Sequence, residues 1–557
     1  MAAVHESLNA EMQDLISSGE VGDNYGEGDN ATEWHDAFNQ HPHRHVEGDT
    51  RPVVPIAVYC DGVRYTRAIG IGKYDTILNI KVINLITHKR HLLCVTSKRE
   101  ACKCGCRGWC TNYITFDFLA WCLKAAASGK RPGLRWDGSD WGPGSVCGDL
   151  HAESEDLCAR FIVVALKGDW SEFTNTFGMP TWAATLVPCL YCSCTTETMY
   201  GFDNITLDGH GWGDLEPDVY ETSCASCEIH VGIDSERVRN SILTSLAWDP
   251  SHQYSRRLLH DLPDLGLQKG DRLEPSPDLR NIAYFESRNL NFTATFWRIH
   301  RDRRGRLADR VHHRNPLFCN EIGITPQSSM QVDLLHTVYL GVLQRYVQGV
   351  MWGAIDSNIW GVDGNRGAVI EQTLSSLEVD IKRWYIRSVI PTSSRVNHIK
   401  TSMLGTDAKR ELKLKAAETG TLVPWAVDFS TRYRNALLNG AQLKAAGETL
   451  VEYMSLLKAS PLHVPEDTCQ TLLDLALRHL TLCKAAHIDM VPKHHNWVHM
   501  TLRLRFYGNA RTWATFLDES LNLLLANMGA RFFVHRGAVW AAQPGGHSSN
   551  FQGGCGI

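Results

Sequence analysis

The chain contains no apolar run approaching the ~18 residues a membrane-spanning helix needs, so no membrane span is expected. Residues 1–30 are acidic and polar and lack the apolar core of a secretion signal, which sets aside export. The expected compartment is the nucleus or the cytosol. Basic excess is also missing: 56 Lys and Arg face 61 Asp and Glu, a formal net charge of −5. No global cationic field advertises nucleic acid, and any such binding must come from local patches. No internal repeat is evident, which sets aside repeat arrays.

What is abundant is cysteine, with 18 in 557 residues. In a chain that is not secreted, clustered cysteines favour metal over disulfides. At 43% hydrophobic and 21% charged, the composition is that of an ordinary globular chain with room for a large core. Residues 1–50, rich in Gly, Asp, Asn, Glu and His, read as a disordered acidic leader. Residues 536–557 read as a disordered tail.

Two apolar runs each end in an aspartate. One is Val53-Val54-Pro55-Ile56-Ala57-Val58-Tyr59-Cys60-Asp61, and the other is Phe161-Ile162-Val163-Val164-Ala165-Leu166-Lys167-Gly168-Asp169. Continuous β-branched runs read as buried strands, and acids there need a partner or a metal. On neighbouring strands Asp61 and Asp169 would hold Mg²⁺ together. The plainer reading is two strand-end acids entering turns beside Gly62 and Gly168. Between the runs lie strand candidates at Thr76–Thr87 and Arg90–Thr96, joined as a hairpin through His88 and Lys89, and a helix at Tyr113–Ser128 closed by Gly129. The order strand, strand, strand, helix, strand, with acids on the first and fourth strands, is the order of the ribonuclease-H-like fold. The expected fold is therefore α/β, with a ribonuclease-H-like mixed sheet in residues 51–188.

Cysteines recur in two groups. Cys102, Cys104, Cys106 and Cys110 can bind Zn²⁺ as a tight tetrahedral knot, or share a site using some of them. Cys189-x2-Cys192-x-Cys194, followed by Cys224-x2-Cys227, resembles the two knuckles of a zinc ribbon, with His230 as a spare ligand. His494, His495 and His499 form a third group, in which His495 and His499 share a helical face suited to metal.

Residues 189–330 thus read as Cys-rich and basic, with a cationic tract at Arg298–Arg314. Residues 331–490 read as mostly helical, with helices at Leu334–Val350, Gly440–Leu457 and Thr468–Ala485. Residues 491–535 hold the His-rich segment and a closing helix. Lys409–Lys415 is a second basic tract, suited either to phosphates or to a solvated face. Trp170, Trp182 and Trp297 are stacking surfaces or core. Asp333 and His336 open an apolar helix, a pattern that also suits a dipole-favoured acid with a buried histidine behind it. In the last helix, Leu517, Leu521, Leu524, Leu525 and Met528 fall on one apolar stripe, with Asp518 at its edge and Glu519 nearly opposite.

The ordered series VYCDGVRYT, KRHLLCVTSKREACKCGCRGWCT, ALKGDW, PCLYC, VDLLHTVYLG, PKHHNWVH and TFLDESLN resembles the catalytic region of cut-and-paste DDE/D transposases of the CACTA, Plavaka and KDZ group. The resemblance runs from about residue 53 to 530. By position it makes Asp61 and Asp169 the first two catalytic acids, and Glu519 the third, with Asp518 its immediate rival and Asp333 a more distant one. Asp333-x2-His336 matches the C/D-x2-H signature between the second and third acids. The resemblance implies two Mg²⁺ (or Mn²⁺) ions at the carboxylates, structural Zn²⁺ at the thiolates, transposon ends and target DNA as partners, and a homo-oligomer joining two ends. The chain departs from the family in having only a short acidic leader before Asp61, with no clear DNA-binding domain there. A rival reading is a catalytically inactive, zinc-dependent DNA-binding or protein-interaction protein derived from a transposase.

Overall fold

The computed structural model describes residues 2–18, 35–64, 76–97, 109–136, 138–183, 187–215 and 315–522. Within these the chain is mixed α/β, built on a four-stranded sheet in the order β3-β2-β1-β4. Strand β1 (Val53–Arg64) is antiparallel to β2 (Thr76–Asn84), which is antiparallel to β3 (Arg90–Ser97). Strand β4 (Arg160–Lys167) lies parallel to β1 on its other side. At the free edge of β4, Met330 adds an isolated parallel bridge to Leu166, and the Gln331 N–H donates to the Leu166 carbonyl.

Both faces of β1, β2 and β4 are buried, as continuous apolar strands require, while the edge strand β3 leaves Leu92 and Val95 exposed. One face of β1 (Val54, Ile56, Val58, Cys60) packs under helix α3 (Trp109–Ser128), which presents Phe116, Leu119 and Leu123. Gly129, at φ 64°, ends α3 in the left-handed conformation that favours glycine. The opposite face (Val53, Ala57, Tyr59) meets Phe38, Tyr507 and Trp513.

The register of β1 against β4 slips between Ile56 and Ala57: Ile56 faces Val163, whereas Ala57 faces Ala165. Val164 is the extra residue of a bulge, and a one-residue bulge changes both the level and the facing of the residues beyond it. Past the bulge, Tyr59 faces Lys167. Asp61 and Asp169 each follow this last pair by two residues.

Three expectations need correction. Asp61 does not end its strand, since β1 continues to Arg64. The leader is not uniformly without structure: Ala2–Ser18 is helix α1, and Leu8 and Met12 enter the main core with Leu15 packed beside them. This helical stripe of spacing four and three sits inside a polar segment, where composition hides it. Glu11, buried on the same helix, lies 3.0 Å from His91 Nε2 on β3. Finally, the second run does not end in its aspartate: β4 stops at Lys167, and Asp169 is the N-cap of the helix at Trp170–Asn175. One apolar cluster runs from Leu8 through the sheet and the Cys segment to Ala510.

After α4 (Val146–Glu153) and α5 (Trp170–Asn175), the helical part comprises a π-helix at Leu335–Leu343, continuing directly into α6 (Gln344–Asp356). It then adds α7 (Arg366–Arg387), α8 (Ala416–Arg432), α9 (Gly440–Ala459), α10 (Glu466–Ala485) and α11 (Pro492–Leu502). Residues 516–522 form the last described helical segment. None of the described helices is long and apolar enough to cross a membrane.

Candidate functional site

Asp61, on β1, and Asp169, at the N-cap of α5, each lie two residues beyond the last β1–β4 pair, and the charge of Asp169 is felt by Asp61. Gly168 makes the approach possible: a Cβ there would lie 3.0 Å from the Cys60 carbonyl and 3.3 Å from the Phe173 ring. Asp169 caps α5, its Oδ1 accepting from the Glu172 N–H at 2.6 Å. Asp61 Oδ2 accepts from the Tyr59 hydroxyl at 2.8 Å and from Asn522 Nδ2 at 2.5 Å. Burial raises the Asp61 carboxyl to about 7, against the Tyr59 hydrogen bond and helped by the charges of Glu172, Asp169 and Glu519. A carboxyl in that position gains from any cation that enters.

The adjacent acids of TFLDESLN take different roles. Asp518 is fully buried, with Oδ1 2.7 Å from Arg90 Nε and Oδ2 2.9 Å from Lys167 Nζ. It is occupied in an ion triad with the sheet. Asn522, one helical turn on, accepts from Lys81 Nζ at 2.9 Å and donates to the Tyr59 hydroxyl and to Asp61. Asp518 and Asn522 thus pin segment 516–522 face down on the sheet, as side chains at i and i+4 can. Of the expected apolar stripe, Leu517 is 54% exposed while Asp518 is 0% exposed, and Leu524, Leu525 and Met528 lie outside the described residues. Arg90, Lys81 and Lys167 on the strands select a polar face instead.

Pinned in this way, the helix turns Glu519 toward His336, with Oε1 3.4 Å from Nε2. Asp169 Oδ2 lies 4.0 Å from the same nitrogen. His336 Nδ1 is fixed by Asp333 Oδ2 at 2.6 Å. Asp333 itself is buried and also accepts from the backbone N–H groups of Leu335, His336 and Thr515, at 3.2, 2.8 and 2.9 Å. It therefore orients the imidazole instead of facing the acids. Burial opposes a charged His336, yet the Asp333 hydrogen bond and the charges of Asp333, Asp169 and Glu519 raise its pKa overall. Burial raises Glu519, against the His336 charge. Lys493, half-buried at the start of α11, is lowered by desolvation and feels the charges of Asp169 and Asp333.

A second group lies on the other side of α11. Among the described residues, one set of three or more Cys, His, Asp or Glu ligand atoms falls within 4.8 Å of one another: Cys189, Cys192, Cys194 and His495, all buried. His495 Nε2 is 3.3 Å from Cys192 Sγ and 3.5 Å from Cys194 Sγ. Tetrahedral Zn–S and Zn–N bonds place such ligands ~3.6 Å apart. His495 Nδ1 lies 2.9 Å from the Met199 carbonyl, and the Tyr191 N–H donates to Cys189 Sγ at 3.3 Å. Both contacts are the outer support that a metal ligand needs. The four-membered group can hold a metal such as zinc. The acids are close neighbours but do not close to the same spacing.

The ligand grouping differs from the zinc-ribbon expectation. Cys194 and His495 join Cys189 and Cys192, while Cys224, Cys227 and His230 lie outside the described residues. Cys102, Cys104, Cys106 and the Cys110 side chain lie outside them too, as do Trp297 and Arg298–Arg314. His494 is not with the group: its Nδ1 contacts the Val491 N–H and carbonyl at 3.0 and 3.1 Å, capping its own helix. His499 Nε2 stands 3.1 Å from His495 Nε2 without entering the four-atom set, and burial lowers it to about 4. In the second basic tract Arg410 is bound to Asp356 at 2.6 Å and stacked 4.4 Å over Trp352, so it is not free for phosphates. Trp182 is 55% exposed, and Trp170 packs 6.5 Å from Tyr191. Sequence reasoning did not single out Tyr59, Lys167, Glu172, Asn522 or Lys493. Of these only Lys167, a cation inside an apolar strand, carries a signal of its own.

Comparison of the chain with protein-family models and with curated proteins returns no match.

Proposed function

We propose that this chain is a ribonuclease-H-like polynucleotidyl transferase of the DDE/D type, cutting and rejoining DNA as the transposases it resembles do. One observation carries the reading: Asp61 on β1 and Asp169 at the cap of α5 each lie two residues past the last β1–β4 pair and act on one another electrostatically, while Glu519 comes within 3.4 Å of His336, the side chain that also neighbours Asp169, from a helix pinned to that sheet. The strand order β3-β2-β1-β4 and the Met330 bridge beyond β4 support it.

Asp61, Asp169 and Glu519 would hold the metals, and their hard oxygens suit Mg²⁺ or Mn²⁺. Two such ions supply charge neutralisation and Lewis acidity for in-line phosphoryl transfer. Tyr59 and Asn522 orient Asp61. His336, set by Asp333, presents Nε2 beside Glu519 and Asp169, where it can take or return a proton. The Cys/His group would take Zn²⁺ as scaffold. Transposon ends and target DNA are the substrates, two ends require at least a dimer, and the nucleus is the place of action.

A second reading, a DNA-binding or protein-interaction protein with a decayed catalytic centre, is favoured by one observation: the thiolate group closes to metal spacing and the carboxylates do not.

The test is cleavage of labelled DNA carrying the ends of the encoding element, by the full chain in Mg²⁺ or Mn²⁺. Cleavage that Asp61→Asn and Asp169→Asn abolish supports the transferase. Salt-dependent DNA retention without metal-dependent cleavage supports the second reading, and cleavage unchanged in both variants removes the catalytic assignment.

A further inference from the structure

The segment that carries Asp333 and His336 is pinned at both ends by neighbours of the Cys/His group. Tyr191 lies between Cys189 and Cys192, and its hydroxyl donates to the Met330 carbonyl at 3.1 Å, three residues before Asp333. Lys493 lies two residues before His495, and its Nζ donates to the Leu340 carbonyl at 2.8 Å, four residues after His336. The second pin depends on a close approach: a Cβ at Gly341 would sit 2.6 Å from Lys493 Cδ and 2.9 Å from its Cβ. At the far end of α11, Arg503 donates to the Gln327 and Ser328 carbonyls at 2.6 and 3.0 Å, just ahead of Met330.

Without a metal, the Cys189–Cys194 loop and α11 meet through thiols and an imidazole and through the Tyr191 ring, 5.2 Å from that of His499 and 5.0 Å from the Arg503 guanidinium. The loop and the helix are about 300 residues apart in the chain, so no local structure fixes one against the other. A tetrahedral ion bonded to three loop thiolates and to His495 would fix that relation at one point. Both pins then transmit it to residues 330–340. The interior between these points is close-packed, with Trp212 4.2 Å from the His495 ring centroid, and such packing passes on displacement instead of absorbing it.

We infer that Cys189, Cys192, Cys194 and His495 bind one Zn²⁺ that acts as a positioning device for the acid site, holding the Asp333–His336 segment in register with Asp169 and Glu519. The zinc is remote from the reacting atoms and acts through Tyr191 and Lys493, which are positioning residues. The inference deepens the proposed function, and only its last experimental arm rests on that reading.

The experiment uses the full chain. Zinc content is measured on the purified protein and on Cys194→Ser, and amide exchange is followed across 330–343 in zinc-loaded and zinc-stripped protein. Because a ligand variant can lose its fold, the double variant Tyr191→Phe/Lys493→Met, which keeps all four ligands, is measured alongside. The expected results are one zinc per chain, lost in Cys194→Ser. Exchange at 330–343 should quicken about tenfold or more on stripping and in the double variant, with β1–β2 pairing unchanged. Mn²⁺ affinity at the acids, read by electron paramagnetic resonance, should fall about tenfold in the double variant, the scale of losing outer support of a metal ligand. No zinc, or zinc bound with exchange at 330–343 indifferent to it, overturns the inference. If DNA cleavage fails while the zinc and exchange results hold, the transferase reading falls and the positioning link stands.

Discussion

Replacing Asp61 by Asn should stabilise the metal-free protein at alkaline pH. Asn keeps an oxygen in place to accept from Tyr59 and Asn522 but removes a charge that burial and three neighbouring acids oppose. Raising the carboxyl from 3.8 to about 7 corresponds to ~4 kcal/mol at full ionisation. Solvent reaching this partly open site reduces that, so a gain of roughly 1–3 kcal/mol is expected. The sign comes from linkage. The folded state holds its proton to higher pH than the unfolded chain, so the penalty is absent below the unfolded pKa near 4. It grows as pH rises, and is complete above the folded value near 7. The gain from Asp61→Asn should therefore be largest at pH 8, shrink by pH 5 and vanish near pH 4. Denaturant unfolding of both proteins at these pH values, in buffers free of divalent ions, measures it. A variant that is less stable at every pH, or more stable by the same amount throughout, refutes the reasoning. Mg²⁺ added at pH 8 should raise the stability of the natural chain and leave the variant unchanged.

The two candidates for third acid separate cleanly. Asp518→Ala strands Arg90 and Lys167 without their partner and should cost about 3–5 kcal/mol in denaturant unfolding, whereas Glu519→Gln should leave stability nearly unchanged and remove Mn²⁺ binding. His495→Ala should abolish zinc retention by elemental analysis, while His494→Ala should keep it. Met12→Ala should lower stability by about 2–5 kcal/mol, since its side chain is 0% exposed in the core. An unaffected midpoint would mean that α1 does not dock in solution.

How much of this was legible depends on how local each cause is. The apolar runs at 53–61 and 161–169, the hairpin and the helix ending at Gly129 arise from residue pattern, and the structure places strands and a helix there with ends moved by a few residues. The closeness of Asp61 to Asp169 was legible only as strand order. The bulge at Val164, which shifts the register so that both acids follow the last strand pair by two residues, leaves no mark in an unbroken apolar run. The polar face of segment 516–522 was misread because an apolar stripe was the stronger local pattern, and the cations that override it come from three different strands. The Cys/His group was half legible. Spacing exposed Cys189 and Cys192, and helical phase exposed His495, but the two lie about 300 residues apart in the chain, and their pairing is a long-range contact that no local pattern encodes.

The central claim is that Asp61, Asp169 and Glu519 form one divalent-metal site. Anomalous diffraction from crystals of the full chain soaked in Mn²⁺ tests it most directly. A peak bonded to Asp61 and Asp169, with Glu519 drawn in beside it, is the predicted result. Well-ordered carboxylates with no peak between them at saturating Mn²⁺ would contradict it.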